Sequence, residues 1–145
     1  LFIRKIAYRC SQMVEVYNQF QCSVVAIQEV PMNQTHNYGI ISGTPINNSI
    51  NTYQVNDMIE KPDLKNAPSN MAIIGRYILT PDIFDILKKI KPGKNGEIQI
   101  TDALNILAKK EKVIAYKFNG KRFDCGSIKG YVNATNFLAK KEGIT

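Results

Sequence analysis

Three short clusters in the 145-residue chain carry side chains whose types and spacing suit chemistry. Glu60-Lys61-Pro62 sets a carboxylate beside an ammonium where an apolar run gives way to a loop. Glutamate accepts hydrogen bonds from hydroxyls and lysine presents a compact charge to phosphate, so the pair can hold a ligand bearing both groups. The alternative for the same letters is a strand-ending loop with two solvated charges. Asp124-Cys125-Gly126 places an aspartate next to a glycine that lets a ligand approach the backbone. That arrangement can bind Mg²⁺, which takes few protein ligands and several phosphate oxygens. It can equally be a tight turn whose aspartate caps the following helix. Tyr38-Gly39-Ile40 puts a glycine inside an apolar strand, the mark of a close approach by a ligand or another backbone, or of a bulge.

Other chemistries are poorly provided for. His36 is the single histidine, which leaves His-based zinc sites and a nucleophile triad without their parts. Cys10, Cys22 and Cys125 are odd in number and lack CxxC spacing, so reduced, mostly buried thiols are expected rather than a disulfide framework. The net charge is +7, from 15 lysines and four arginines against 12 acids. The lysines fall as pairs, Lys88-Lys89, Lys109-Lys110 and Lys140-Lys141, near the ends of helical stretches, where cations complement the helix dipole. With arginine scarce and no aromatic–basic RNA motif, no nucleic-acid partner is expected. No apolar run approaches the roughly 20 residues that cross a bilayer, and Arg4, Lys5 and Arg9 are scattered among apolar residues in a way no signal peptide shows. A cytoplasmic protein with no membrane partner is the expectation.

The elements that must position these clusters follow from periodicity. Met13 to Phe20 reads as the end of a helix, with Met13, Val16, Tyr17 and Phe20 on one stripe. Ser23 to Val30 is a nearly continuous apolar and β-branched run, which suits a strand covered on both faces. Tyr38–Ser42 is a short strand, Asn47, Asn48 and Asn51 mark a turn, and Tyr53 to Ile59 forms another strand able to pair antiparallel with the first. Met71–Leu79 reads as a second buried strand, interrupted by Gly75. Thr80-Pro81 has the form of an N-cap followed by proline at the first helical position, and Pro92-Gly93 stop that helix. A helix starts at Thr101-Asp102, Ile114, Tyr116 and Phe118 alternate as a strand, and a last helix aligns Ile128, Tyr131, Val132, Thr135 and Leu138. Strands interleaved with helices give an α/β class with a mixed sheet.

The order SVVAIQEV, YGII, MIEKP, MAIIGRYIL, EIQITDAL, FDCGSIKGY closely resembles the carboxy-terminal half of bacterial UTP–glucose-1-phosphate uridylyltransferases, within the sugar-nucleotide pyrophosphorylases, from about Met13 to Gly143. The resemblance implies a mixed, mostly parallel sheet with flanking helices, an incomplete Rossmann-like nucleotidyltransferase domain. Residues 1–145 would form its carboxy-terminal, sugar-phosphate-binding half, with 1–12 atypical. It implies that Lys61, the catalytic residue, contacts the phosphate of glucose 1-phosphate. It further implies that Glu60 hydrogen-bonds the sugar hydroxyls, that Gly39 passes close to the hexose, and that Asp124 is one of two carboxylates holding Mg²⁺. The segment Ile73–Tyr77 and the region of Thr101 would support the sugar end. The implied reaction is in-line attack by a glucose 1-phosphate oxygen on the α-phosphorus of UTP, expelling pyrophosphate and leaving UDP-glucose. Such transfer depends on positioning and charge neutralisation rather than covalent help.

The family chain is roughly twice as long, and its nucleotide-binding glycine-rich loop has no counterpart here. Gly93 and Gly96 flank Lys94-Asn95 but precede a strand-like stretch. An alternative is therefore a truncated, non-catalytic remnant, or a fragment that complements an amino-terminal partner, inactive alone. Intact family members are homo-oligomers by the same resemblance. Loss of neighbouring strands is expected to leave apolar sheet edges unpaired.

Overall fold

The computed structural model describes residues 2–47, 49–93 and 96–144, with side chains described from Ser11 onward. Asn48 of the expected turn, Lys94-Asn95 between the glycines, and the side chains of Arg4, Lys5, Arg9 and Cys10 lie outside the described residues.

Helix α1 spans Phe2–Phe20, so the backbone is helical well before Met13. Neither proline nor glycine interrupts residues 2–12, and nothing there forces a later start. Strand β1, Ser23–Glu29, follows with its first five residues buried. Its alternate residues serve two cores. Val25 and Ile27 join a cluster with Ile83, Ile86, Leu104 and Leu107, while Val24 and Ala26 meet Met13 and Val16 of α1. Helices on both faces explain the unbroken apolar run, each fully buried valine or isoleucine contributing about 1.5–3 kcal/mol.

A 3-10 turn, Met32–Asn37, leads into β2, Gly39–Pro45. Asn47 takes a left-handed turn, and Ser49 Oγ accepts from the backbone N–H groups of Asn51 and Thr52 (3.1 Å each), closing the hairpin to β3, Thr52–Glu60. Strands β4, Met71–Ile78, and β5, Val113–Lys117, complete the sheet. Between them lie α2, Asp82–Leu87, and α3, Ile100–Lys110, and α4, Ile128–Glu142, ends the description.

The strand order β1-β4-β2-β3-β5 closes on itself. Pairing is parallel only between β1 and β5, and antiparallel for β1–β4, β2–β3, β2–β4 and β3–β5. The mostly parallel sheet expected from the sequence is thus corrected to a mostly antiparallel one. Burial of β1 on both faces comes from α1 on one side and α2 with α3 on the other, and this does not require parallel neighbours. The expectation of unpaired edges is also not met among the described strands. The nine-residue β3 pairs with β2 along its length and with β5 through Thr52, Tyr53 and Gln54, which seals the ring.

In β4 only Ala72 and Ile73 are buried; Gly75 and Arg76 are exposed, and Tyr77 and Ile78 are half-buried against the two cores. Thr80 caps nothing with its side chain. Its hydroxyl pairs with Ser23 Oγ at 3.0 Å, Pro81 occupies the cap position, and α2 ends before Pro92. The lysine pairs do sit where the dipole favours them, Lys109-Lys110 and Lys140-Lys141 in last turns and Lys88 at the end of α2. The α4 stripe is open: Ile128, Tyr131 and Val132 are 87%, 62% and 47% exposed, and Ala134 alone is buried in that helix. Cys125 is exposed, against the expectation of buried thiols. Cys22 is half-buried, and burial raises its pKa. No described helix is long and apolar enough to cross a membrane.

Candidate active site

Gly39 opens β2 and Glu60 closes β3, and antiparallel register sets them directly opposite each other. The start of α3 brings Thr101 over the pair, and its hydroxyl donates to Glu60 Oε2 at 2.6 Å. Thr101 is buried, and α3 is pinned to the strand by Asn105 Oδ1, which accepts from the Met58 N–H at 3.2 Å. A methyl group at position 39 would lie 3.0 Å from both Glu60 Oε2 and Thr101 Oγ1, and 3.2 Å from Ile73 Cδ1. The glycine therefore marks a close approach of side chains, and it leaves one face of the Glu60 carboxyl open.

That face belongs to a cavity of about 370 Å³, bordered by Gly39, Glu60, Tyr77, Thr101, Arg122 and Asp124 among others. Tyr77 comes from the half-buried end of β4. Burial, and secondarily the nearby Glu60 carboxylate, raise its phenol above the ordinary value. Both push in one direction because each disfavours a phenolate.

The loop after β5 supplies the opposite wall. Arg122 Nη1 donates to Tyr38 Oη at 3.5 Å, and the guanidinium lies 5.6 Å from the Tyr38 ring centroid. Nη2 of the same group is 3.8 Å from Asp124 Oδ2. Asp124 Oδ1 accepts the Gly126 N–H at 3.0 Å, and Ser127, not Asp124, caps α4, its Oγ accepting from the Gly130 N–H at 3.1 Å. The turn reading and the site reading of Asp124 thus coexist, while the capping role belongs to Ser127.

Three of the four residues singled out, Gly39, Glu60 and Asp124, border the same cavity, and Lys61 does not. Lys61 follows Glu60 as an exposed residue in the left-handed region, φ 44°, with its N–H bonded to the Tyr38 carbonyl at 3.0 Å. A side chain there opposes its own backbone preference by about 1–2 kcal/mol. Arg122 was missed by sequence reasoning, because it lies in a loop where no periodicity says which way a side chain points.

Asp124 is the candidate metal ligand. No group of three or more His, Cys, Asp or Glu side chains gathers among the described residues. A single solvent-facing carboxylate, 64% exposed, fits an ion that keeps most of its shell as water and phosphate oxygens, as Mg²⁺ does. A larger cleft of about 580 Å³ between α2 and α3 contains none of the candidate residues.

The model of the family described as Nucleotidyl transferase matches residues 3–141. The chain belongs to that family. The match begins inside residues 1–12, expected to be atypical. This nucleotidyl transferase chain is 63% identical over 126 residues to a UTP–glucose-1-phosphate uridylyltransferase of Pseudomonas aeruginosa, covering 87% of this chain and 44% of the relative. It is similar to a solved UDP-glucose pyrophosphorylase complexed with UDP-glucose, with TM-score 0.84 and 55% identity over 90% of this chain and 49% of that one. A UTP-bound UGPase from Acinetobacter baumannii gives TM-score 0.75 and 33% identity, covering 90% and 44%. The chain spans less than half the length of these nucleotidyl transferase relatives.

Proposed function

We infer that the chain carries the sugar-phosphate half of a site transferring a uridylyl group from UTP to glucose 1-phosphate. The observation that supports this most is the convergence of Gly39, Glu60, Thr101 and Asp124, distant in sequence, on one cavity. Glu60, held by Thr101, accepts hydrogen bonds from hexose hydroxyls across the space that Gly39 leaves open. Lys61, next to Glu60 though outside the cavity's lining, meets the sugar phosphate, and its unfavourable backbone conformation is the kind of strain that persists where function requires it. Asp124 holds Mg²⁺, and the ion, when bound, offsets negative charge on the phosphate oxygens. Arg122 neutralises Asp124 from 3.8 Å and leaves donors facing the cavity for a phosphate. One phosphate oxygen of the sugar then attacks the α-phosphorus of UTP as the bond to pyrophosphate breaks. The reading places the chain in the cytoplasm.

A second reading is a fragment that complements an amino-terminal partner. Backbone amide NMR separates these possibilities. Glucose 1-phosphate should shift the amides of Gly39, Glu60 and Lys61, and Lys61→Ala should weaken that binding at least about tenfold, as expected for loss of a charged contact. Absence of shifts at 39 and 60 would sink the first reading. Pyrophosphate release from UTP, glucose 1-phosphate and Mg²⁺ only after a relative's remaining half is added would establish the second.

A further inference from the structure

We propose that Gly130, in the first turn of α4, is a positioning residue for Asp124. This rests on the reading of Asp124 as a metal-holding carboxylate. A Cβ built on Gly130 would run into the Asp124 carbonyl group, so the chain at 124 lies directly on the bare backbone of the helix. At Gly39, Gly43 and Gly126 the same test meets its nearest atom only at 2.9–3.2 Å. The same turn holds the loop at a second point, where Ser127 Oγ accepts from the Gly130 N–H. A third contact lies farther along α4: Phe137 packs on Phe123, ring centroids 5.1 Å apart at 45°, with the Lys121 ammonium within 4.7 Å and 5.1 Å of the two rings. The residues on either side of Arg122, and Asp124 itself, are therefore fastened to α4. The carboxylate depends on these contacts because its own bonds, to Gly126 and Arg122, stay within the loop. Helix α4 is the template against which this wall of the cavity is set.

Gly130 is half-buried, and glycine is a poor choice at a helical position on propensity alone, where alanine ordinarily strengthens the helix. This gives a clean discriminator. Gly130→Ala should leave α4 helical yet displace residues 121–126 and disperse the carboxylate. Asn133→Ala, which raises helix propensity at an exposed position of the same helix, should not. Amide NMR with Mn²⁺ as a paramagnetic probe reads both. In the parent chain, Mn²⁺ should broaden the amides of Asp124 to Gly126, and Asp124→Asn should remove that broadening. Gly130→Ala should reduce it roughly tenfold at equal Mn²⁺ and abolish the ring-to-ring NOE between Phe123 and Phe137, the scale set by loss of one charge-assisted contact. Should Gly130→Ala fail to fold, Phe137→Leu attacks the same tether from the apolar side and should weaken the broadening in a folded chain.

Unchanged amide shifts over 121–126 and unchanged broadening in Gly130→Ala, or in Phe137→Leu where it serves instead, would overturn the proposal. If Mn²⁺ leaves 124–126 sharp in the parent chain while Gly130→Ala still displaces that loop, the metal reading of Asp124 fails and the positioning role stands.

Discussion

Glu60 and Asp124 are two carboxylates on one cavity, yet they are held in opposite ways. Glu60 ends a strand, faces its register partner Gly39, and accepts a 2.6 Å bond from a buried threonine. Asp124 sits on a loop, 64% exposed, with a turn bond to Gly126 and an ion pair of 3.8 Å. The first wall is built into the barrel and is set before any ligand arrives. The second is fastened from outside, by a helix whose own apolar stripe is open. The difference fits the chemistry proposed for each. Recognition of hydroxyls rewards a fixed acceptor, whereas a carboxylate bound for a hydrated ion benefits from staying in water, since burial penalises the charge.

Substitutions can break or sharpen that contrast. The largest effect on stability is expected from Thr101→Val, which removes the donor from a partly buried carboxylate and should cost about 1.5–3 kcal/mol in a denaturant titration. Gly39→Ala forces a methyl group between two oxygens and the Ile73 side chain and should cost about 1–3 kcal/mol by the same measurement. On the other wall, Asp124→Asn should change stability by no more than about 0.5 kcal/mol, because the carboxylate itself is exposed. A loss comparable to that of Thr101→Val would end the distinction between the walls.

The smallest effect concerns Tyr77. Its phenol titrates above the ordinary 10.0, first through burial and then through Glu60, so Glu60→Gln should lower the value while leaving it raised. Since the folded pKa exceeds the unfolded one, this contribution is whole below pH 10.0 and is lost as pH rises past it. A phenolate absorbance titration of both proteins would check the order.

Much of this was legible in the letters. β1 announced itself by an apolar run with no polar alternation, and Glu60, Gly39 and Asp124, singled out by their neighbours, line one cavity. Thr101 emerged only as part of a region, because its bond to Glu60 spans 41 residues and no local pattern encodes it. Closure of the barrel depends on three residue pairs between β3 and β5, again a long-range property. The α4 stripe misled for another reason. Periodicity reports that one face of a helix is apolar and is silent on whether anything lies against it.

Lys61 sets thermal robustness and electrostatics against each other at a single residue. Glycine or asparagine would adopt its left-handed backbone at lower cost, so relaxed selection favours a sturdier fold at the expense of a cation beside Glu60. A lineage released from selection for chemistry should lose the lysine early and melt at a higher temperature for it.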